Sequence, residues 1–376
     1  MAPLIHSCTS DSKMKKFGIY STIAVFALII VSFSLLGIFS SDREISTWER
    51  RKLASFPEFT AETVFDGSFF KELEKYSTDQ FPGRDDFRTI SALTRTDLFL
   101  QKDNNGLYVE NDRVFKSDYP ISTKHIDNFI NKTNEIYNKY IKDVASNYFV
   151  SAIPSKEFFD ISDHLRADAT EIAEYFKNGI IDSKYIDIFG ALSIDSYYRT
   201  DTHWSQDKLL PVMEVFAKEM NFQSTIPRYK ENILEPFYGV YYGQSALRPT
   251  PDSLIYLTNS TTDSAQVENV QKPNFSDVYD LDAFEGTDGY DLFLSGGTPL
   301  TVITSPKSQT EKELVIFRDS FGSSIAPLFL SEYRKVTLVD LRYFSADLLP
   351  EYVNFEGSDV LFLYSTLMLN SKIILK

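Results

Sequence analysis

Thiols are nearly absent from this chain: a single cysteine, Cys8, stands among 376 residues. One cysteine closes no intramolecular disulfide and builds no cysteine-cluster metal site, which excludes a thiol framework. Histidine is almost as scarce. His6, His125, His164 and His203 are all the sequence holds, too few to make a multi-histidine zinc site a natural reading. A basic excess is missing as well, since 38 Lys and Arg stand against 53 Asp and Glu for a formal charge of −15. A surface that tracks phosphates needs the opposite balance, so nucleic acid is excluded as the main partner. What is present is ordinary globular composition, 43% hydrophobic and 24% charged, which rules out a mostly disordered chain.

Phe17 to Phe39 is a run of 23 residues without a charged side chain. At about 1.5 Å per residue it spans the roughly 30 Å hydrocarbon core of a bilayer. A cleaved signal peptide is the competing reading, but its apolar stretch runs only about 7–15 residues, so a retained anchor is expected. Lys13, Lys15 and Lys16 before it are matched by Arg43, Arg50, Arg51 and Lys52 after it. The positive-inside rule therefore leaves the orientation open.

The organisation expected beyond the anchor is a juxtamembrane segment over 40–120 and an α/β domain over 121–376. Leu107-Tyr108-Val109 and Arg113-Val114-Phe115, separated by Glu110-Asn111-Asp112, read as a small hairpin. Ile126, Phe129, Ile130, Ile136, Tyr137 and Ile141 recur at helical spacing behind a candidate N-cap, Ser122. Short apolar runs at 148–153, 314–317, 336–339 and 360–364 alternate with helix-length segments, the pattern of a parallel sheet covered on both faces. The stretch 221–290 is rich in Asn, Ser, Thr, Asp and Pro and reads as an insertion of loops and a few antiparallel strands.

Sites in such sheets form beyond the carboxyl ends of strands. Glu313-Leu314-Val315-Ile316-Phe317-Arg318-Asp319-Ser320-Phe321-Gly322 puts Ser320 there, where a strand turns toward a helix and backbone N–H groups can meet an oxyanion. A plain helix cap is the bland alternative. In Tyr198-Arg199-Thr200-Asp201-Thr202-His203-Trp204, Asp201 and His203 stand two apart, so an extended backbone would project both to one side, with the carboxylate holding the imidazole as a general base. A structural histidine or a metal-binding pair are the alternatives. Ser205 could cap a following helix, although Pro211 lies far into it. Gly296 and Gly297 can bring backbone N–H groups close to an oxyanion or simply make a tight turn. Lys156, just past a strand end, can reach the cleft or stay a solvated loop residue.

These motifs, with the later Val339-Asp340-Leu341-Arg342-Tyr343 and the upstream Asp79-Gln80-Phe81-Pro82-Gly83-Arg84-Asp85, resemble the DHHW family and the related alginate O-acetyltransferases, which are SGNH-like. Ordinary SGNH hydrolases place the serine first and the Asp/His pair last. Here the order is reversed, as in the alginate enzymes. Thr202 stands where the family name expects a second histidine, and Arg318 where a glycine often precedes the Asp-Ser of hydrolases.

The resemblance implies an SGNH-like (flavodoxin-like) α/β fold and a Ser320-His203-Asp201 triad, with Gly296, Gly297, Lys156, Arg199 and Arg342 as oxyanion or substrate-binding candidates. It implies a membrane-anchored, extracytoplasmic O-acetyltransferase with a polysaccharide acceptor, a membrane-bound O-acyltransferase as partner and no cofactor or metal. Residues 1–16 would then be a cytoplasmic tail. The rival expectations are a carbohydrate esterase using the same triad with water, and a non-catalytic cell-envelope scaffold or polysaccharide-binding protein.

Overall fold

The computed structural model of the chain describes residues 7–222, 228–271 and 276–376. Among these, seven strands form the main sheet: β1 (Asn147–Ile153), β2 (Lys184–Tyr185), β3 (Gln266–Asn269), β4 (Leu300–Thr304), β5 (Glu313–Arg318), β6 (Lys335–Val339) and β7 (Asp359–Ser365). Side by side they run β2-β1-β7-β5-β6-β4-β3. The first five in that order are parallel, while β4 pairs antiparallel with β6 and β3 antiparallel with β4. All four expected strands are present. Their runs are apolar at successive residues because both faces are covered. Along β5, Leu314 and Ile316 enter one core with Leu338 and Leu361, whereas Val315 and Phe317 enter the other with Val339 and Phe362. The antiparallel edge lies outside the sequence reading, since β3 and β4 are short and interrupted by Asn269, Thr301 and Thr304.

Helices Thr123–Ile136 and Ala169–Gly179 bury Ile126, Phe129, Ile172 and Phe176 on one face, and Leu210–Glu219 buries Val212 and Phe216 on the other. Ser122 stands at the expected N-cap position with extended backbone but makes no side-chain capping bond. Pro211 is accommodated by a delay. Gln206–Lys208 forms a 3-10 turn, and the α-helix starts at Leu210, so the proline falls in the first turn, where no helical N–H is lost. Within 221–290, Lys230–Phe237 pairs antiparallel with Asp252–Thr258, and a short helix, Val240–Ser245, lies between them in sequence. Residues 223–227 and 272–275 of this stretch lie outside the described residues.

The chain forms two compact units, one comprising the chain to Ser46 with Arg51–Ser91, the other Thr47–Arg50 with Ala92–Lys376. In the first, Lys16–Phe39 is a helix of mean hydropathy 2.6, long and apolar enough to cross a membrane. There the Asp79-Gln80 motif works as a clamp: Asp79 takes Arg51 at 2.8 and 2.5 Å and accepts from the Ala54 amide at 2.9 Å, while the Gln80 amide group donates to the Arg43 and Ala54 carbonyls at 3.0 Å each. The expected hairpin, Leu107–Glu110 with Arg113–Lys116, belongs to the second unit, and its Val114 amide donates to the Arg199 carbonyl at 2.8 Å.

Candidate functional site

β5 ends at Arg318, and the chain turns at once into the helix Phe321–Ile325. Asp319 fixes that turn. One of its carboxylate oxygens accepts from the Phe321 amide at 3.0 Å, and the other from the amide and hydroxyl of Ser365 at 2.8 and 2.7 Å, tying the end of β5 to the end of β7. Ser320, between them, is partly exposed and makes no side-chain capping bond to its helix. Its hydroxyl is 2.7 Å from Nε2 of His203.

His203 arrives on a tight loop closed by a bridge between Tyr197 and Trp204 and by the Tyr198 amide donating to the His203 carbonyl at 3.2 Å. Trp204 anchors the loop to the helix that follows Ser320, its indole N–H reaching the Phe321 carbonyl at 3.2 Å and Ser324 Oγ at 2.9 Å. The backbone at 199–203 is bent rather than extended, so the two-residue alternation is not what unites Asp201 with His203. Instead Asp201 Oδ1 accepts from the His203 amide at 3.0 Å and faces Nδ1 at 2.6 Å. That is an Asx-type turn.

The second carboxylate oxygen of Asp201 accepts from the Val240 amide and from Arg50 Nη1, each at 2.7 Å. Burial alone would raise this carboxyl, but the charge and hydrogen bonds of His203, together with Arg50, hold it far below the usual carboxylate range. It is therefore an anion that orients the imidazole. The Val240 amide approaches past Gly239, where a Cβ would lie 2.3 Å from the Thr200 carbonyl oxygen and 2.5 Å from Asp201 Cβ. Only glycine fits that passage.

The face of the imidazole is covered by Tyr290, at 3.8 Å between ring centroids. Tyr290 is held by its hydroxyl donating to Ser324 Oγ at 2.8 Å and by its amide donating to Asp288 at 2.9 Å. Asp288 in turn pairs with Arg50.

Ser320, His203 and Asp201 thus come together. The other candidates are placed differently. Lys156 is fully buried, its amine donating to the carbonyls of Tyr198, Arg199 and Asp201 at 3.1, 3.0 and 2.8 Å, and burial brings it down to about 8. It supports the dyad loop from within. Arg199 is exposed and lies 3.8 Å from Asp112. Arg342 is occupied by Asp340, at 2.8 and 2.5 Å. Gly296 takes a left-handed backbone at φ 84° and its carbonyl accepts from the buried Arg318 at 3.4 Å, while Gly297 is exposed. The turn therefore lies beside the segment that carries Ser320. Of the remaining histidines, His125 meets the Asn370 carbonyl at 3.0 Å and His164 stacks on Tyr108 at 3.8 Å; His6 lies outside the described residues.

Sequence reasoning does not reach Arg50, Val240, Asp288 and Tyr290. Arg50 enters it only as a charge flanking the apolar run, and Val240 acts through its backbone. The insertion contributes to the surroundings of Asp201 and His203 through Val240 and Tyr290.

A family model described as DHHW protein matches residues 49–163 and 190–339. A search of curated proteins finds no sequence match. Among solved structures, a DHHW family protein from Eubacterium siraeum superposes with a TM-score of 0.59 at 19% identity, covering 72% of this chain and 94% of that one. Bacillus cereus PatB1, in a structure with a sulfonyl adduct, gives 0.58 at 18% identity over 72% and 97%. The O-acetyltransferase domain of Pseudomonas putida AlgJ gives 0.44 at 11% identity over 71% and 93%. The first two share this fold, a mostly parallel sheet between helices. With the family model matched over well more than half of its length, the chain belongs to the DHHW family.

Proposed function

We propose that this chain is a membrane-anchored, extracytoplasmic O-acetyltransferase acting on a cell-surface or secreted polysaccharide. The observation that carries the reading is the continuous relay from Asp201 through His203 to Ser320, with contacts of 2.6 and 2.7 Å. Those distances are within reach of proton transfer. Ser320 Oγ attacks the acetyl carbonyl carbon while His203 Nε2 takes the hydroxyl proton. The tetrahedral intermediate collapses, the donor's leaving oxygen receives that proton, and acetyl-serine remains. A sugar hydroxyl then gives its proton to His203 and attacks the acetyl-serine. Ser320 leaves with the proton returned, and the sugar carries the acetate.

The Ser320 amide and the exposed Gly297 are the candidate donors to the oxyanion. PatB1, which shares the fold, forms a sulfonyl adduct, the product expected when an activated nucleophile meets a sulfonylating reagent. The motif order of the alginate-type acetyltransferases favours transfer over hydrolysis. A membrane-bound O-acyltransferase would then supply acetyl groups, and the apolar helix would hold the domain beside it.

The test uses the full chain in detergent micelles with p-nitrophenyl acetate as donor and oligosaccharides from the native envelope as acceptors. Acetylated oligosaccharide with only slow hydrolysis is expected, because a well-oriented acceptor reaches an effective molarity of roughly 10⁵ M or more. Both activities should fall by about 10⁴ or more in Ser320→Ala. Fast hydrolysis without acetylated sugar would make the chain an esterase. Neither activity, even beside the membrane partner, would leave the scaffold.

A further inference from the structure

Thr47–Arg50 are a four-residue excursion: the chain on either side belongs to one compact unit, and these residues to the other. Their placement there is built, not incidental. Trp48 meets Tyr242 edge-on at 5.7 Å and carries the Arg248 guanidinium over its ring at 4.6 Å. The Trp48 carbonyl also fills the space that a Cβ at Gly243 would occupy, 1.6 Å from it. Arg50 itself adopts a left-handed backbone at φ 53°, uncommon for a residue with a side chain.

The Arg50 side chain is 5% exposed and divides its guanidinium between two carboxylates. Nη1 donates to Asp201 Oδ2 at 2.7 Å, and Nη2 pairs with Asp288. Asp201 holds the edge of the imidazole through Nδ1. Asp288 holds the Tyr290 amide, and Tyr290 covers the imidazole face. The contacts close a ring: Arg50, Asp201, His203, Tyr290, Asp288 and back to Arg50. A planar fork can span two carboxylates in this way, whereas an ammonium offers a single point of charge. Of the other cations at this loop, Lys156 contacts the carbonyl of Asp201 and Arg199 lies 3.8 Å from Asp112.

We propose that Arg50 is a positioning residue of the acyl-transfer site, bridging Asp201 and Asp288 so that the edge and the face of the His203 imidazole are fixed together. The stretch that follows the apolar helix in sequence thereby contributes to catalysis and is not merely a tether. This inference rests on the triad reading above.

The full chain in detergent micelles tests it with two readouts. One is hydrolysis of p-nitrophenyl acetate; the other is the downfield proton resonance of the His203 Nδ1–H, assigned by its disappearance in His203→Gln. In Arg50→Ala, kcat should fall about 10- to 100-fold, by analogy with the loss of a hydrogen-bond partner behind a metal-bound histidine. KM should stay within about twofold, and the downfield resonance should be lost to exchange. Arg50→Lys, which keeps the charge but cannot span both carboxylates, should fold and give an intermediate kcat. Retention of wild-type kcat in either variant, or a resonance unchanged in Arg50→Ala, overturns the proposal. If Arg50→Ala does not fold, Arg50→Lys decides alone. Absence of any Ser320-dependent hydrolysis in the wild type would instead sink the triad reading, and the resonance would still decide the role of Arg50.

Discussion

Tyr290 lies flat on the His203 imidazole, with ring planes 5° from parallel and centroids 3.8 Å apart. The stack closes one face of the ring to water while Nε2 stays directed at Ser320. Stacked rings are worth about 0.5–1.5 kcal/mol beyond their burial. Tyr290→Leu should therefore lower kcat about tenfold with little change in KM. Tyr290→Phe keeps the stack but gives up the hydroxyl bond to Ser324, so its rate should stay near wild type while stability drops by about 1 kcal/mol. Steady-state kinetics and chemical denaturation of the two variants separate these effects.

Asp201→Asn removes the anion that selects the imidazole tautomer, and the expected cost is roughly 10⁴ in kcat. It also leaves the buried Arg50 with one carboxylate partner fewer, so the melting temperature should fall as well. If the pair instead held a metal, EDTA would abolish wild-type activity and added zinc would restore it. The triad predicts indifference to both.

Lys156→Met leaves the carbonyls of Tyr198, Arg199 and Asp201 without their buried donor. The Arg199 carbonyl keeps the Val114 amide, so at roughly 1 kcal/mol or more for each of the two orphaned carbonyls, unfolding free energy should fall by about 2 kcal/mol or more. Activity should fall with it, because the three carbonyls belong to the loop that carries the dyad. A variant with full activity would show that the loop keeps its shape without the lysine.

The clamp at Asp79 gives a pH dependence. Hydrogen bonding to Arg51 holds this carboxyl at about 2, below its ordinary value of 3.8. A carboxyl depressed in the folded state contributes stability that is complete above pH 3.8 and is lost as pH falls through about 2. The melting temperature of the wild type should therefore exceed that of Asp79→Asn at pH 5, and the gap should narrow toward pH 2. A gap independent of pH would mean that the ion pair contributes nothing.

Four of the five parallel strands were legible because each is buried on both faces and so largely apolar, as Leu314 to Phe317 illustrate, whereas the two-residue edge strand β2, with Lys184 exposed, was not. The three residues that come together in the candidate site, Asp201, His203 and Ser320, were legible by type and motif. Their supports were not. Arg50 meets a partner 151 positions away, and the Val240 contact is made by a backbone amide that leaves no mark in the sequence beyond the neighbouring Gly239. Lys156 illustrates the reverse. Its position after a strand end suggests a cleft residue, but three carbonyls and the rings of Phe115 and Tyr241 enclose its amine.

The last strand of the chain, β7, lies in the middle of the sheet, between β1 and β5. During synthesis, β5 can therefore pair with β6 but has no path to β1 and β2 until Asp359–Ser365 emerges, and pairing over such separations comes late in folding. Asp319, which sets the turn at Ser320, likewise waits for the amide and hydroxyl of Ser365. A polypeptide cut short before that residue carries Asp201, His203 and Ser320 and yet lacks the contacts that set the turn at Ser320.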